Sequence, residues 1–257
     1  MKKVYYALGN PGLVQGIEYV DNDMVAGYVT NLYKDLKEKY KDNKAWQSYL
    51  SCPAAISNLS NTYVIRSGIT FSMEFTDKPS FKVEVTNKTL EDRKKDFDLD
   101  SHKKKLHDYT RQSFVIRDFN TKFVSYTDSI WLFCEEDLRC DQEHPHFDNT
   151  DLSKYTQTTI GGFNISKWFR PIQPTFVLLK DKISVKQGDA LMYISFPPGE
   201  KIQLIPFKMN TKILQYSKQC VNYKFWEKRR TLNFIYNVFT RNMIDKMIIK
   251  EIKKNII

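Results

Sequence analysis

Hydrophobic positions along the chain follow two rhythms, a spacing near four at the ends and a spacing of two between them. Met24, Tyr28, Leu32, Leu36 and Tyr40 recur at every fourth position with Val25, Val29 and Tyr33 beside them. This predicts an amphipathic helix over 21–42, capped by Asp21 or Asn22, with the charged run KDLKEKYKDNK on its outer face. The period then shortens. In ITFSMEF, Ile69, Phe71, Met73 and Phe75 alternate with Thr70, Ser72, Glu74 and Thr76, the mark of a half-buried strand. Phe81, Val83 and Val85 repeat the pattern, and Asp77-Lys78-Pro79 between the two runs predicts a hairpin. Strand patterns continue at SFVIRDF, KFVSYT, SIWLFCEE, TQTTIGGFNI, WFRPIQPTFVLLKDKISVKQGDALMYISF and KIQLIPF, with Gly188-Asp189 and Pro197-Pro198-Gly199 as turns. From 217 the period lengthens again, and Ile244, Ile248, Ile252 and Ile256, flanked by Met243 and Met247, predict C-terminal helices over 217–257.

The order is helix, many strands, helix. Short strands at this spacing predict an all-β or β-rich α+β chain, a jelly-roll or cupin-like β-sandwich built as one domain over 1–257. Residues 88–109 break the rhythm with seven Lys/Arg against six Asp/Glu, a charged insertion expected to be a solvated loop or an exposed helix.

Composition supports a globular, strand-rich chain. With 257 residues, 41% of them hydrophobic, and 17 Phe and 15 Tyr, a sizeable core is available and the aromatics lean toward strands. Cys52, Cys134, Cys140 and Cys220 are scattered without the spacing of a disulfide framework, as expected in a reducing compartment. The opening MKKVYYALGN has only a brief apolar run, and no stretch approaches the ~20 apolar residues of a membrane helix, so a soluble intracellular protein is expected. The net charge of +10 is uneven: from Lys208 onward twelve Lys or Arg face Glu227, Asp245 and Glu251, and the rest of the chain is nearly neutral. A basic tail of this kind suits a polyanionic partner.

Three candidate sites follow. Residues 143–148 read EHPHFD. On an extended segment, His144 and His146 project to one side, and His146-x-Asp148 is two thirds of the facial triad of non-haem iron enzymes. Fe(II) or Zn is therefore the alternative cofactor, Cys134 and Cys140 being further possible zinc ligands. No histidine follows His146, Pro145 suits a turn, and the expectation is that no cofactor binds. Secondly, Tyr223, Trp226, Arg229 and Arg230 mix stacking faces with cations, as a single-stranded nucleic-acid surface does; aromatics at helical spacing also suit a buried helix face. Thirdly, Arg170 after two large aromatics is either a buried cation needing a carboxylate or, with Trp168 and Tyr193, part of a ligand pocket. No nucleophile elbow, phosphate-binding loop or dinucleotide fingerprint occurs in the chain.

Across roughly residues 45–240 the chain resembles a family of β-rich proteins from tailed phages that infect marine bacteria. The resemblance rests on Cys52-Pro53, Asn61-Thr62-Tyr63, Trp168-Phe169-Arg170-Pro171 and Gly188-Asp189. It implies a source and supplies no mechanism; a non-enzymatic phage accessory protein of the host cytoplasm or the virion is expected, working by binding a host protein, a virion component or a small polar ligand.

Overall fold

A computed structural model of the chain describes residues 1–9, 28–76, 80–85, 114–126, 129–226 and 230–257, the side chains of 129, 221–226 and 232 excepted. The expected charged insertion at 88–109 lies outside the described residues, as do residues 21–27 and the Asp77-Lys78-Pro79 turn. Numbered in chain order, the strands of the described residues form four sheets. The first has the order β12 (Pro171–Ile172), β8 (Ser129–Cys134), β1 (Lys2–Gly9), β16 (Ile202–Pro206). A second runs β11 (Gly161–Asn164), β9 (Arg139–Glu143), β15 (Ala190–Ser195), β3 (Thr62–Arg66), β2 (Tyr28–Asn31).

Alternation along these strands dictates a sandwich. Val4, Ile130, Leu132 and Cys134 of the first sheet share one core with Ile65, Cys140, Met192 and Ile194 of the second. Their neighbours point outward, and each outer face is covered by helices. Tyr5, Ala7, Trp131 and Phe133 pack under α5 (Thr211–Trp226), α6 (Leu232–Arg241) and α7 (Ile244–Lys253). Val64, Ala190 and Tyr193 pack under α1 (Leu32–Lys39), α2 (Lys44–Leu50) and α3 (Pro53–Leu59). The layers are thus helix, sheet, sheet, helix. Burying each of these large side chains contributes about 1.5–3 kcal/mol.

The remaining sheets make a second face-to-face pair, β14 (Lys182–Val185)-β4 (Phe71–Thr76)-β5 (Ser80–Val85) against β10 (Thr156–Thr158)-β13 (Thr175–Leu178)-β7 (Phe123–Tyr126)-β6 (Phe114–Asp118). Phe71, Met73 and Phe75 meet Phe114, Tyr126 and Phe176 there. The predicted hairpin is present, with Phe75 opposite Phe81 and Met73 opposite Val83. A bulge at Leu191 joins the two cores, because the register shifts between Ala190 and Met192. Ala190 then faces α1–α3, Leu191 enters the second core and Met192 the first. The chain is β-rich with several antiparallel sheets, as expected.

Three expected elements are corrected. Tyr28–Asn31 is a strand paired with β3, and the helix starts only at Leu32, because Tyr-Val-Thr prefers the pleated sheet and the Asn31 side chain caps the helix by accepting from the Lys34 N–H. The C-terminal helices begin at Thr211 rather than 217. Residues 139–143, outside every run read as a strand, form β9, an interior strand of the second sheet.

Candidate ligand-binding cleft

The sandwich opens between two edge strands, β11 of one sheet and β12 of the other. A cavity of about 380 Å³ lies there, walled by Thr159–Phe163 on one side and by Arg170–Gln173 on the other, with Arg117, Gln142, Trp168, Thr175 and Tyr236 completing it. Its size falls in the range of small-ligand sites, about 300–1,000 Å³.

Two arginines dominate its chemistry. Arg117 sits at a bulge in β6, where the pairing with β7 skips from Ile116 to Asp118. Bulges of this kind re-aim a side chain. Its Nε donates to Ser125 Oγ at 2.9 Å, Ser125 Oγ contacts Thr175 Oγ1 at 3.1 Å, and Thr175 Oγ1 donates to the Gln173 carbonyl at 3.2 Å. This chain of hydroxyls holds the stem of Arg117, and its two Nη groups make no hydrogen bond to the described residues. Arg170 follows the buried pair Trp168-Phe169 and lies over the Phe163 ring, 5.9 Å from its centroid. Neither arginine has an ion-pair partner among the described residues.

Polar and aromatic groups fill in around them. Gln142 is buried and donates from Nε2 to the Gln173 carbonyl at 3.3 Å. Tyr236 comes from α6, its ring 6.2 Å from that of Trp168. Burial pushes the Tyr236 phenol up from its ordinary pKa, while the Asn164 backbone N–H and nearby Arg170 pull the other way. The phenol therefore stays neutral around pH 7. Among the described residues, no carboxylate, histidine or thiol lines the cavity.

Of Trp168, Arg170 and Tyr193, read together as one pocket, the first two line this cavity and Tyr193 does not. Tyr193 is fully buried on the opposite side of its sheet, under α1–α3. Its hydroxyl donates to Asp148 Oδ2 at 2.6 Å and accepts the Phe147 N–H at 3.2 Å.

His144, His146 and Asp148 do not assemble into a ligand set. His144 Nε2 lies 2.8 Å from the Ser153 carbonyl and must donate there, and its Nδ1 is 3.0 Å from Thr158 Oγ1, so both ring nitrogens are engaged. His146 Nδ1 faces the His144 carbonyl at 2.9 Å. Asp148 receives Tyr193 and lies 3.7 Å from Arg66 Nη1. The segment is a turn, with the Asp148 N–H on the Pro145 carbonyl. Cys134 and Cys140 are buried in the sandwich core. Burial pushes the Cys134 thiol up to about 11 and raises Cys140 as well, so both stay protonated. Among the described residues no three His, Cys, Asp or Glu side chains come together in a way that could hold a metal ion.

Of the candidate nucleic-acid residues, Tyr223 and Trp226 lie on α5 but their side chains, like Arg229, fall outside the described residues. Arg230 is exposed, its guanidinium 4.8 Å from the Phe234 ring centroid. No helix among the described residues is long and apolar enough to cross a membrane.

Sequence reasoning missed Arg117, Gln142, Gln173 and Tyr236. Two signals were present. FVI before Arg117 breaks strand alternation, as a bulge does, and adjacent glycines inside a strand mark a place where another group approaches the backbone. Comparison of the chain with family models, with curated proteins and with solved structures finds no match.

Proposed function

We propose that this chain is a non-enzymatic binding protein that captures an anionic ligand in the cleft between β11 and β12. One observation carries the reading: Arg117 and Arg170 share the walls of a cavity of about 380 Å³, and neither meets a carboxylate among the described residues. Arg170 is half-buried and Arg117 exposed at the mouth of the cavity, and a guanidinium in such a setting is stabilised by an acceptor anion, most strongly by one it can grip with two bonds. Trp168, Phe163 and Ile172 supply apolar contact for the rest of the ligand.

The resemblance to tailed-phage proteins supports an accessory role in the host cytoplasm or with the virion, the ligand belonging to a host or virion partner. Cupin-like winding and a metal-dependent reaction form no part of this reading. The β1–β16 pair is parallel, and the cleft lining offers no metal ligand of the usual kinds.

Isothermal titration with phosphate, benzoate and succinate tests the proposal. At least one of the three is expected to bind, and Arg170→Ala is expected to weaken it about tenfold to a hundredfold, the range for losing a charge-assisted hydrogen bond. The unfolding midpoint should not move. Flat titrations with all three anions, together with no binding of a larger carboxylate ligand, would refute the reading.

A further inference from the structure

Strand β11 is an edge strand, and its hydrogen-bonding phase can be worked out. It pairs antiparallel with β9, Gly161 opposite Gln142 through Asn164 opposite Arg139. One position further on, the Ile165 N–H donates to the Leu138 carbonyl at 2.9 Å. Antiparallel ladders alternate, so Phe163 and Gly161 exchange bonds with β9, while Asn164 and Gly162 turn their amides away from it. The Tyr236 phenol, a lining group of the cavity, lies beside the outward N–H of Asn164. That of Gly162, with its carbonyl, faces the open edge along the cleft.

An open strand edge is a template for another strand. Here the template is short. Tyr236, which lines the cavity, stands at its Asn164 end, and the edge opens toward Ile160, which is 80% exposed. A strand running through would collide with Tyr236, whereas a chain that ends there would not. Gly161 has nothing within 4 Å of where a Cβ would stand, so the backbone can be approached closely. The two arginines then lie where a chain terminus would place its charge.

We infer that the ligand is the carboxyl-terminal tail of a protein, bound extended along the free edge of β11, with its main chain on Gly162 and its terminal carboxylate between Arg117 and Arg170. This rests on the anionic-ligand reading above and names its ligand class. The Gly162 N–H donates to a tail carbonyl, the Gly162 carbonyl accepts a tail N–H, and the carboxylate takes the Nη donors that Ser125 leaves free on Arg117.

The test uses a synthetic pool of acetylated tetrapeptides, made once as free acids and once as C-terminal amides, over immobilised full-length protein. Retained sequences are identified by mass spectrometry and titrated singly, with benzoate titrated in parallel. Free acids are expected to bind at least about tenfold more tightly than their amides, and Arg170→Ala should abolish that difference. Gly162→Pro removes the outward N–H at an edge position where proline is otherwise tolerated, and should weaken peptide binding about fivefold or more. Gly162→Ala keeps the N–H, and its nearest neighbours are the ends of the paired Arg139 and Asp141 side chains, which have to shift to admit the methyl group; peptide binding should persist. N-methylation of successive peptide amides reads the same bond without altering the protein, and one position should lose about fivefold.

Equal binding of acid and amide, or indifference to both Gly162→Pro and N-methylation, overturns the inference. Binding of benzoate with no retained peptide overturns it while leaving the anion cleft standing. If neither peptides nor any small anion binds, both readings fall.

Discussion

Tyr193 carries its phenol into a largely buried polar network. Its hydroxyl bonds Asp148, the Asp148 carboxylate faces Arg66, and Arg66 also donates to Asp35 at 2.6 Å, Thr30 at 3.0 Å and the Gly188 carbonyl at 3.0 Å. Burial raises the Tyr193 pKa far above its ordinary value, with the adjacent Asp148 carboxylate adding to the effect, so the phenol remains a donor throughout the neutral range. Tyr193→Phe leaves both the Phe147 N–H and one Asp148 oxygen without this partner. It is expected to lower stability by about 1–3 kcal/mol, the usual result of orphaning a buried polar group, as measured by the shift in urea midpoint at constant slope. No change would mean that water replaces the hydroxyl. At this scale the sequence was only partly legible. EHPHFD stood out as chemistry, and its polar groups do form a structured site, but the partners Arg66, Asp35 and Tyr193 come from distant strands and a helix that no local spacing connects to it.

Elements were legible where a strand buries one face and wets the other. Phe71, Met73 and Phe75 announce β4 because their neighbours are polar. In β9 that contrast is missing. Cys140 and Gln142 face inward, Arg139 and Asp141 pair with each other outside, and Glu143 accepts from Ser195 on β15. A strand whose polar residues find partners within the sheet reads as loop, and this one backs the cleft. The N-terminal segment failed for a different reason: every fourth residue from Tyr28 to Tyr40 is apolar, so helix period and strand propensity compete over Tyr28–Asn31, and pairing with β3 decides. Asn31 is the joint between the two. Its Oδ1 accepts from the Lys34 N–H at 3.2 Å and its Nδ2 donates to the Ser60 carbonyl at 2.9 Å. Asn31→Ala removes both, and is expected to cost about 1–2 kcal/mol in thermal or urea unfolding, whereas Asn31→Asp, which keeps the cap, should lose less. Equal losses would show that the bond to Ser60, rather than the cap, fixes the joint.

The whole molecule depends on covering both outer faces of its larger sandwich, and the C-terminal helices cover one of them while also closing the cleft. Ile213, Ile235, Phe239, Ile248 and Ile252 lie on Tyr5, Trp131 and Phe133, and Trp131 Nε1 donates to Ser217 Oγ at 3.0 Å. The isoleucine stripe read from the sequence is this covering face, with Lys246 and Lys250 on the opposite, exposed side of α7. The lysine-rich tail is therefore a solvated back to a buried front, and its charge has a consequence of its own. Removing residues 208–257 would expose the aromatic face of the first sheet, leave the Trp131 indole N–H without its hydroxyl, and take away nearly all of the net charge that keeps molecules apart. The truncated chain is expected to lose cooperative thermal unfolding, bind a hydrophobic dye and aggregate. Full-length protein carrying Lys246→Gln and Lys250→Gln loses charge without losing cover, and should keep its cooperative transition within about 0.5 kcal/mol. A truncated chain that still melted in one step at the full-length midpoint would show that the sheets stand without their helical layer, and that Tyr236 reaches the cleft as a guest rather than as part of the core.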